Sequence, residues 1–569
     1  MQTRMQLLKV MVVGLVVSAF SLVGLAPAEA AKPEKPPGQE KPPKEKPEKP
    51  GKPEPDPDPD PDPAPDPTPD PDPDPDPAPD PTPDPDPDPE PDPDPAPDPT
   101  PDPDPDPEPD PDPDPAPDPT PDPDPAPDCP DRPDGALPII PCTEGFGITT
   151  PAGSGRNLKP AKTTVHRVTN LDASGSGSLK ACIDASGPRV CIFETSGTID
   201  LTELGLLSIN NDYITIAGQT APSPGINLRG ASVRIEANDV LIQHIRVRTG
   251  DAIEGRTPGD RDGIYVIGKS DDPNRRPYNV VFDHISVSWG IDETFTVKDT
   301  AENVSILNSI VGEGLWYNMH PKGGHSKGLM VSSPKTLLQG NLMAHHDDRA
   351  PLETSPSTIT VNNVTYDTRQ VAMRLSPLSN NAAHDGKVRT TTIAGNVRLK
   401  GPSSDSGRDT AWVVINESRD GSKIYIEDNL CEGWDNTDWP CVRVDSDNGG
   451  DFRVKQPPLW LYGLKVLPAS QTLEYVLANA GARPKDRDDV DTRLINDVIN
   501  GTGKLINCVG TQDFSYDGRE IDCASNAGGW PELAVNPRPL KLPEDYNALD
   551  ASGYTKLEVW LHNMASEVE

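Results

Sequence analysis

Three short runs carry the side chains with the greatest chemical reach: Asp283-His284, Trp289-Gly290-Ile291-Asp292-Glu293, and Ala344-His345-His346-Asp347-Asp348-Arg349-Ala350-Pro351. Carboxylates that converge can hold a hard cation. An arginine beside them adds a planar, strongly positive group. Together they suit an acidic substrate, and in particular the removal of a proton next to a carboxylate, where the developing negative charge is stabilised by a cation. Asp260 and Asp262 in Gly259-Asp260-Arg261-Asp262-Gly263-Ile264 add a second acidic pair, one residue apart. Lys322, Lys327 and Arg374 add positive groups downstream. Residue type alone leaves each of these a plainer reading. Pro258-Gly259 marks a turn, which makes Asp260 and Asp262 a charged loop tip. Asp283-His284 reads equally well as a buried structural pair, Lys322 as an exposed loop lysine, Arg349 as a surface ion-pair partner, and Trp289 as packing.

The elements that must position these groups are short, apolar and β-branched. Tyr213–Ile216, Val240–Ile242 with Ile245, Asn279–Phe282, Val304–Leu307, Thr336–Leu338, Thr358–Val361, Arg389–Ile393 and Lys423–Ile426 are each strand-sized and bounded. Asparagines follow several of them, at 308, 341, 363, 396 and 429. That rhythm fits the coils of a solenoid whose turns carry irregular loops, and stacked corner asparagines can form an amide ladder. The expected fold is all-β, a right-handed parallel β-helix with short capping helices at Ser178–Ala185, Gln471–Ala480 and Asp491–Asn500. A β-sandwich is the alternative, but the short hairpin turns it needs are scarce.

The chain divides into three parts. Residues 1–30 read as a secretory signal peptide: Arg4 and Lys9, an apolar run from Val10 to Leu25, and Ala28-Glu29-Ala30 before cleavage near Ala30 or Ala31. Residues 31–128 hold seven lysines against thirty-three acids in Lys/Pro/Glu and then Pro-Asp repeats. Such a segment has no core to bury and extends as a semi-rigid spacer. Residues 129–569 form the folded domain. Of the net charge of −39, −25 belongs to residues 1–128 and −14 to the domain, so an acidic ligand must be met by a local patch rather than by global attraction. Eight cysteines in an exported chain predict disulfides, with local pairs Cys129/Cys142, Cys182/Cys191, Cys431/Cys441 and Cys508/Cys523. No basic stripe points to nucleic acid, no dinucleotide loop is present, and no membrane insertion is expected after signal cleavage. A secreted monomer is the expectation.

Four motifs, in order, carry a specific resemblance: Tyr213 to Pro222 (YITIAGQTAP), Arg246-Val247-Arg248-Thr249-Gly250-Asp251, FDHISVSWGIDE, and GNLMAHHDDRAP, joined by VLANAGARPKDRDDVDTRLINDVINGTG. From about Cys142 to Gly510 the chain resembles the polysaccharide lyase family that includes pectate lyases. The resemblance implies a parallel β-helix, an acidic plant-type polysaccharide (pectate or pectin) as partner, and cleavage by β-elimination with Ca2+ as cofactor. It implies Asp260, Asp262 and Asp292 as calcium ligands. Thr296 stands where the family commonly has a further acid, which shifts that task toward Glu293 or Asp283. It also implies Arg349 as the base on C5, and Lys322 as the carboxylate-binding lysine with Lys327 its competitor. The second arginine that follows the catalytic one in many relatives is replaced by Leu352, Glu353 and Thr354, which leaves Arg374 to compensate. His346, with His345, is expected to shape the groove around Arg349.

Other chemistries remain open on the residues. His320, His325, His345 and His346 invite a zinc reading. Asp260, Asp262 and Asp292 offer an acid/base pair for hydrolysis. A noncatalytic pectin-binding solenoid needs only the groove. A lyase alone leaves an unsaturated, ultraviolet-absorbing sugar end.

Overall fold

The computed structural model describes residues 132–158, 162–268, 276–378, 381–404, 411–416, 419–434, 438–445 and 451–569. The expected signal peptide, the spacer and Cys129 lie outside them.

Within the described residues the chain winds into a right-handed parallel β-helix of three sheets, with ten, nine and nine strands. The ten-stranded sheet contains the strands that the apolar runs mark out, from Ile214–Ala217 through Tyr278–Asp283 to Lys423–Glu427, whereas Ile245, grouped with Val240–Ile242, opens a strand of a nine-stranded sheet. The other two are built from pieces as short as Leu352–Glu353 and Ser286–Ser288. Their side chains alternate between the interior and the outer face. All pairing between coils is parallel and in register, for example Phe282 with Ile242 on one side and Ile306 on the other. Ile, Val, Leu and Phe side chains therefore stack on their counterparts coil after coil, and Phe282 meets Phe295 edge-on at 5.0 Å. The β-sandwich alternative falls, because a sandwich requires antiparallel sheets.

The corner after the ten-stranded sheet carries two stacked rows. One is an amide ladder: the Nδ2 groups of Asn341, Asn363 and Asn396 donate to the Oδ1 of Asn363, Asn396 and Asn429, at spacings of 22, 33 and 33 residues. Asn308 is not part of it. The ladder position on that coil is Ser309, whose backbone N–H donates to Asn341 Oδ1. Asn308 sits one residue earlier in a second row of left-handed residues, His244, His284, Asn308, Gly340, Asn362, Gly395 and Asp428. Glycine is required at 340, where a Cβ would lie 2.3 Å from Asn308 Oδ1.

Four α-helices complete the fold among the described residues. α1 (Leu179–Asp184) buries Leu179, Cys182 and Ile183 against the first coil and caps the amino end of the solenoid. α2 (Ala469–Asn479) and α3 (Asp489–Asn500) correspond to the two helices expected downstream. α4 (Lys556–Val568), which the sequence reading did not mark, starts at a capping box of Thr555 and Glu558. The motifs that carried the resemblance hold α3 to the wall. Arg248 is fully buried and forks onto Asp488 and Asp491, while Ser286 Oγ donates to Asp491 at 2.7 Å. Trp289 is fully buried as well, and its indole N–H donates to Glu313, which also receives Arg493.

Three disulfides, Cys182–Cys191, Cys431–Cys441 and Cys508–Cys523, follow the predicted pairing. Among the described residues no helix is long and apolar enough to cross a membrane.

The ladder generates a stability prediction. Asn396→Ala removes the side-chain bonds to the Asn363 backbone N–H and Nδ2 and to the Thr360 carbonyl, while Asn429 Oδ1 keeps the backbone N–H of residue 396. It should lower unfolding free energy by about 2–4 kcal/mol. Asn308→Gly keeps the left-handed corner and loses mainly the hydrogen bond from Tyr475, so urea unfolding should show less than half that loss. Equal losses would show that the ladder is not a principal support.

Candidate functional site

The site lies along the amino-terminal edge of the sheet that contains Ile264–Val266, Glu293–Val297 and Lys327–Val331. Register places Glu293 beside Lys327 on the next coil, and Lys327 forms a single bridge to Asp348 on the coil after. Arg349 follows directly. Its backbone is left-handed, with φ of 65°, a conformation that costs a non-glycine residue on the order of 1–2 kcal/mol. The guanidinium turns back across two coils to pair with Glu293, 56 residues upstream.

Asp262, Asp292 and Glu293 converge, with one carboxylate oxygen from each within 4.8 Å of the others. Asp260 stands apart: it is 65 % exposed, 4.0 Å from Arg256, and belongs to the rim of the same cleft rather than to the trio. The cleft measures about 390 Å³ and is also walled by Arg234, Arg256, Tyr265 and Lys298. Spacing did not reveal these four. Tyr265 pairs in register with Arg234 and Thr296, so the register between coils was the signal that would have found them.

The electrostatics of the trio are asymmetric. Burial, and then the negative charge of Asp292, push the Asp262 carboxyl up to about 7, although Lys298 and the Thr296 hydroxyl pull the other way. Burial would raise Asp292 too, but the hydrogen bond and charge of His325, with His320 and Arg349, outweigh it and hold Asp292 below the ordinary carboxylate value. His325 Nε2 lies 2.6 Å from Asp292 Oδ1, and the His320 and His325 rings stack at 3.8 Å. His320 Nδ1 accepts from the Lys322 backbone N–H, so a neutral His320 carries its proton on the Nε2 that faces Asp292.

This donor set suits a hard divalent cation. Three carboxylates meet at a cleft where one of them holds its proton up to about pH 7 for want of positive charge, and the buried Thr296 hydroxyl adds a neutral oxygen. Thr296 thus stands beside the trio as a neutral oxygen, where a further acid was expected.

The positive groups divide in the same way. Lys327 lies on the strand and its ammonium reaches Asp347 at 3.0 Å and Asp348 at 3.8 Å. Lys322 is exposed on the preceding turn. Arg374 approaches Asp348 at 3.9 Å. Burial lowers the pKa of Arg349 from its ordinary value and the charge of Arg374 adds to this, against opposition from Asp292 and Asp262. Neither aspartate adjoining Arg349 pairs with its guanidinium. Asp347 is taken by Lys327, Arg369 and Gln370.

His346, expected in the groove, is fully buried. Its Nε2 donates to the Val311 carbonyl at 3.0 Å and its Nδ1 accepts from Gly314 N–H, which leaves no face for a ligand. His345 pairs with Asp367 and Asp497, and those acids lift its pKa to about 9 against the effect of burial. The four-histidine zinc arrangement is therefore not formed.

The sequence matches no protein-family model. It is 31 % identical over 451 residues to a probable pectate lyase C of Aspergillus flavus, covering 75 % of this chain and 94 % of that protein. A probable pectate lyase C of Emericella nidulans gives the same identity over 451 residues, with 76 % and 94 % covered. Among solved structures, a pectate lyase bound to hexasaccharide aligns with 61 % of this chain and 98 % of its own, at 13 % identity and a TM-score of 0.40. Pectate lyase II of Xanthomonas campestris covers 61 % and 100 %, at 15 % and 0.34.

Asp262 makes the cation-free site sensitive to pH. Its folded pKa of about 7 lies above the ordinary 3.8, so the unfolded chain loses this proton first and the group's contribution to stability falls as pH rises from about 4 to about 7. Asp262→Asn should therefore stabilise the chelator-treated protein at pH 8, by on the order of 2–4 kcal/mol, and flatten this part of the pH profile. Thermal unfolding from pH 4 to 8 measures it. An unchanged slope would show that Asp262 is not the group held protonated.

Proposed function

We propose that this chain, which belongs to the pectate lyase family, is a secreted lyase that cleaves pectate-type uronate glycans by calcium-assisted β-elimination in the cleft beside Glu293 and Arg349. The observation that carries the reading is the convergence of Arg349 with Asp262, Asp292 and Glu293 from three of four successive coils, the Lys327 coil lying between.

The substrate's C5 proton is acidic because it adjoins the uronate carboxylate, and the C4–O bond breaks as charge flows away from C5. The base must sit beside C5 with its proton affinity lowered. Arg349 meets both demands in part: it is held by a left-handed backbone, and burial and Arg374 disfavour its charged form. Asp262 and Asp292 work against this, and Glu293 occupies the guanidinium. Bound calcium, held by Asp262, Asp292 and Glu293, supplies positive charge that offsets these acids and stabilises charge on the uronate carboxylate. His325 and His320 keep Asp292 ionised and fixed. Lys327, rather than Lys322, lies on the strand edge where it can exchange its bonds to Asp347 and Asp348 for the substrate carboxylate. Arg374, on the outer face two coils beyond Glu293's neighbour Lys327, extends the positive surface.

Hydrolysis is the weaker reading. Of the acids that reading draws on, Asp260, Asp262 and Asp292, Asp260 stands exposed on the rim and apart from the other two.

Arg349→Lys should lower turnover on polygalacturonate by about two to four powers of ten with the fold intact by circular dichroism, the scale of a general-base contribution. Near-parent turnover would remove Arg349 from the role of base. Lys327→Ala should slow elimination strongly and Lys322→Ala only slightly, an order that reverses if the loop lysine binds the carboxylate. Chelation should abolish activity and added calcium restore it. Full activity in enzyme and substrate shown to be metal-free by elemental analysis would contradict the calcium assignment.

A further inference from the structure

A second cluster of ligating side chains lies at the corner after the ten-stranded sheet, on a different edge of the solenoid from the acid trio. His244 and His284 occupy the left-handed corner on adjacent coils, with φ of 55° and 48°, and their rings stack at 5.2 Å and 11°. Asp283 precedes His284, and Glu569 reaches in from the residue after α4. One ligand atom from each of the four lies within 4.8 Å of the others.

Hydrogen bonding fixes the orientation of His244. Its Nδ1 lies 2.9 Å from the Ala482 carbonyl, which can only accept, so Nδ1 carries the proton. Nε2 is fully buried, has no hydrogen-bond partner, and points toward Glu569 Oε1 at 3.6 Å. A lone pair facing a carboxylate in a buried site is unfavourable unless a positive charge lies between them. An imidazole oriented through Nδ1–H to a backbone carbonyl, with Nε2 free, is the usual arrangement of a metal ligand. His284 Nδ1 lies 2.9 Å from Asp283 Oδ1 and 3.9 Å from Glu569 Oε1. A tetrahedral zinc ion with bonds of about 2.0–2.2 Å spaces its ligand atoms by about 3.3–3.6 Å, so small adjustments complete the shell.

We propose that His244, Asp283, His284 and Glu569 form a structural site for a divalent transition metal of the zinc type, which ties the end of α4 to the solenoid wall. Two imidazoles and two carboxylates make a neutral complex with such an ion and a closed shell, as structural rather than catalytic zinc requires. The proton that His284 Nδ1 shares with Asp283 leaves when the metal binds. The sequence left Asp283-His284 open between a chemical and a structural pair, and the other two ligands come from positions that no local motif links to it.

The full-length protein, stripped of metal and dialysed, would be titrated with zinc and with cobalt. One equivalent of zinc should bind and raise the unfolding temperature, and cobalt should give the visible absorption of a four-coordinate site. Glu569→Gln should weaken zinc binding by about 10–100-fold, and His244→Ala should abolish the thermal shift. Asp292→Asn, at the other histidine cluster, should leave both unchanged. The proposal is overturned if zinc neither binds nor shifts unfolding, or if Asp292→Asn removes the bound zinc while His244→Ala and Glu569→Gln retain it. Retention of the thermal shift in Glu569→Gln with parent affinity would equally exclude it. None of these readouts depends on lyase activity.

Discussion

Parallel register between successive coils is the constraint from which the remaining structure follows. Neighbouring strands stand about 4.7–4.9 Å apart, so any residue is one such step from its counterpart a whole coil away in sequence. Glu293 is thereby set against Lys327, Tyr265 against Thr296, and Arg349 within reach of a carboxylate 56 residues upstream. Loops between coils vary in length without disturbing the stack, as the ladder spacings of 22 and 33 residues demonstrate. A stacked interior of Ile, Val, Leu and Phe and an asparagine ladder at one corner hold that register. The outer edges of the coils are left to carry charge.

What the edges carry is electrostatically unfinished. Like charges meet in the acid trio, and the protein offsets them partly by keeping Asp262 protonated and partly through His325, His320 and Arg349. Desolvation makes this arrangement costly unless positive charge arrives. Arg349 is caught in the same balance, since the acids that should hold a cation also raise its proton affinity. On the proposed mechanism, a bound cation and the proton affinity of Arg349 would be linked through the same carboxylates. The buried Arg248 fork onto Asp488 and Asp491 shows the contrasting case, in which paired charges are fully satisfied and serve to anchor a helix.

Eight strands of the ten-stranded sheet were legible because they are four to six residues of β-branched and apolar sequence, long enough to show as bounded runs; Thr164–Val168 and Arg189–Phe193 were not marked. The other two sheets were mostly not, since a strand such as Leu352–Glu353 has no period to detect. Asn308 illustrates the limit of the corner signal. It keeps the spacing within one residue, yet belongs to the adjacent left-handed row, where asparagine is favoured for its backbone rather than for its amide. Local pairing of cysteines was sufficient for three disulfides. At the site, Asp262, Asp292, Glu293 and Arg349 were readable from motifs and do converge, while the exposure of Asp260 and Lys322 and the burial of His346 were not. Whether a side chain points outward depends on loop geometry in one case and on the facing coil in the other. The role of His320 and His325 as clamps on Asp292 likewise depends on a fold of the loop that no spacing rule encodes.

The cleft is proposed to perform elimination rather than hydrolysis or simple binding. Mass spectrometry of the oligosaccharides released from polygalacturonate in the presence of calcium tests it most directly. Elimination predicts a new non-reducing end that is lighter than the saturated sugar by one water and absorbs in the ultraviolet. Saturated ends alone would contradict the account by identifying a hydrolase, and an intact polymer that remains bound to the protein would contradict it by identifying a binding module.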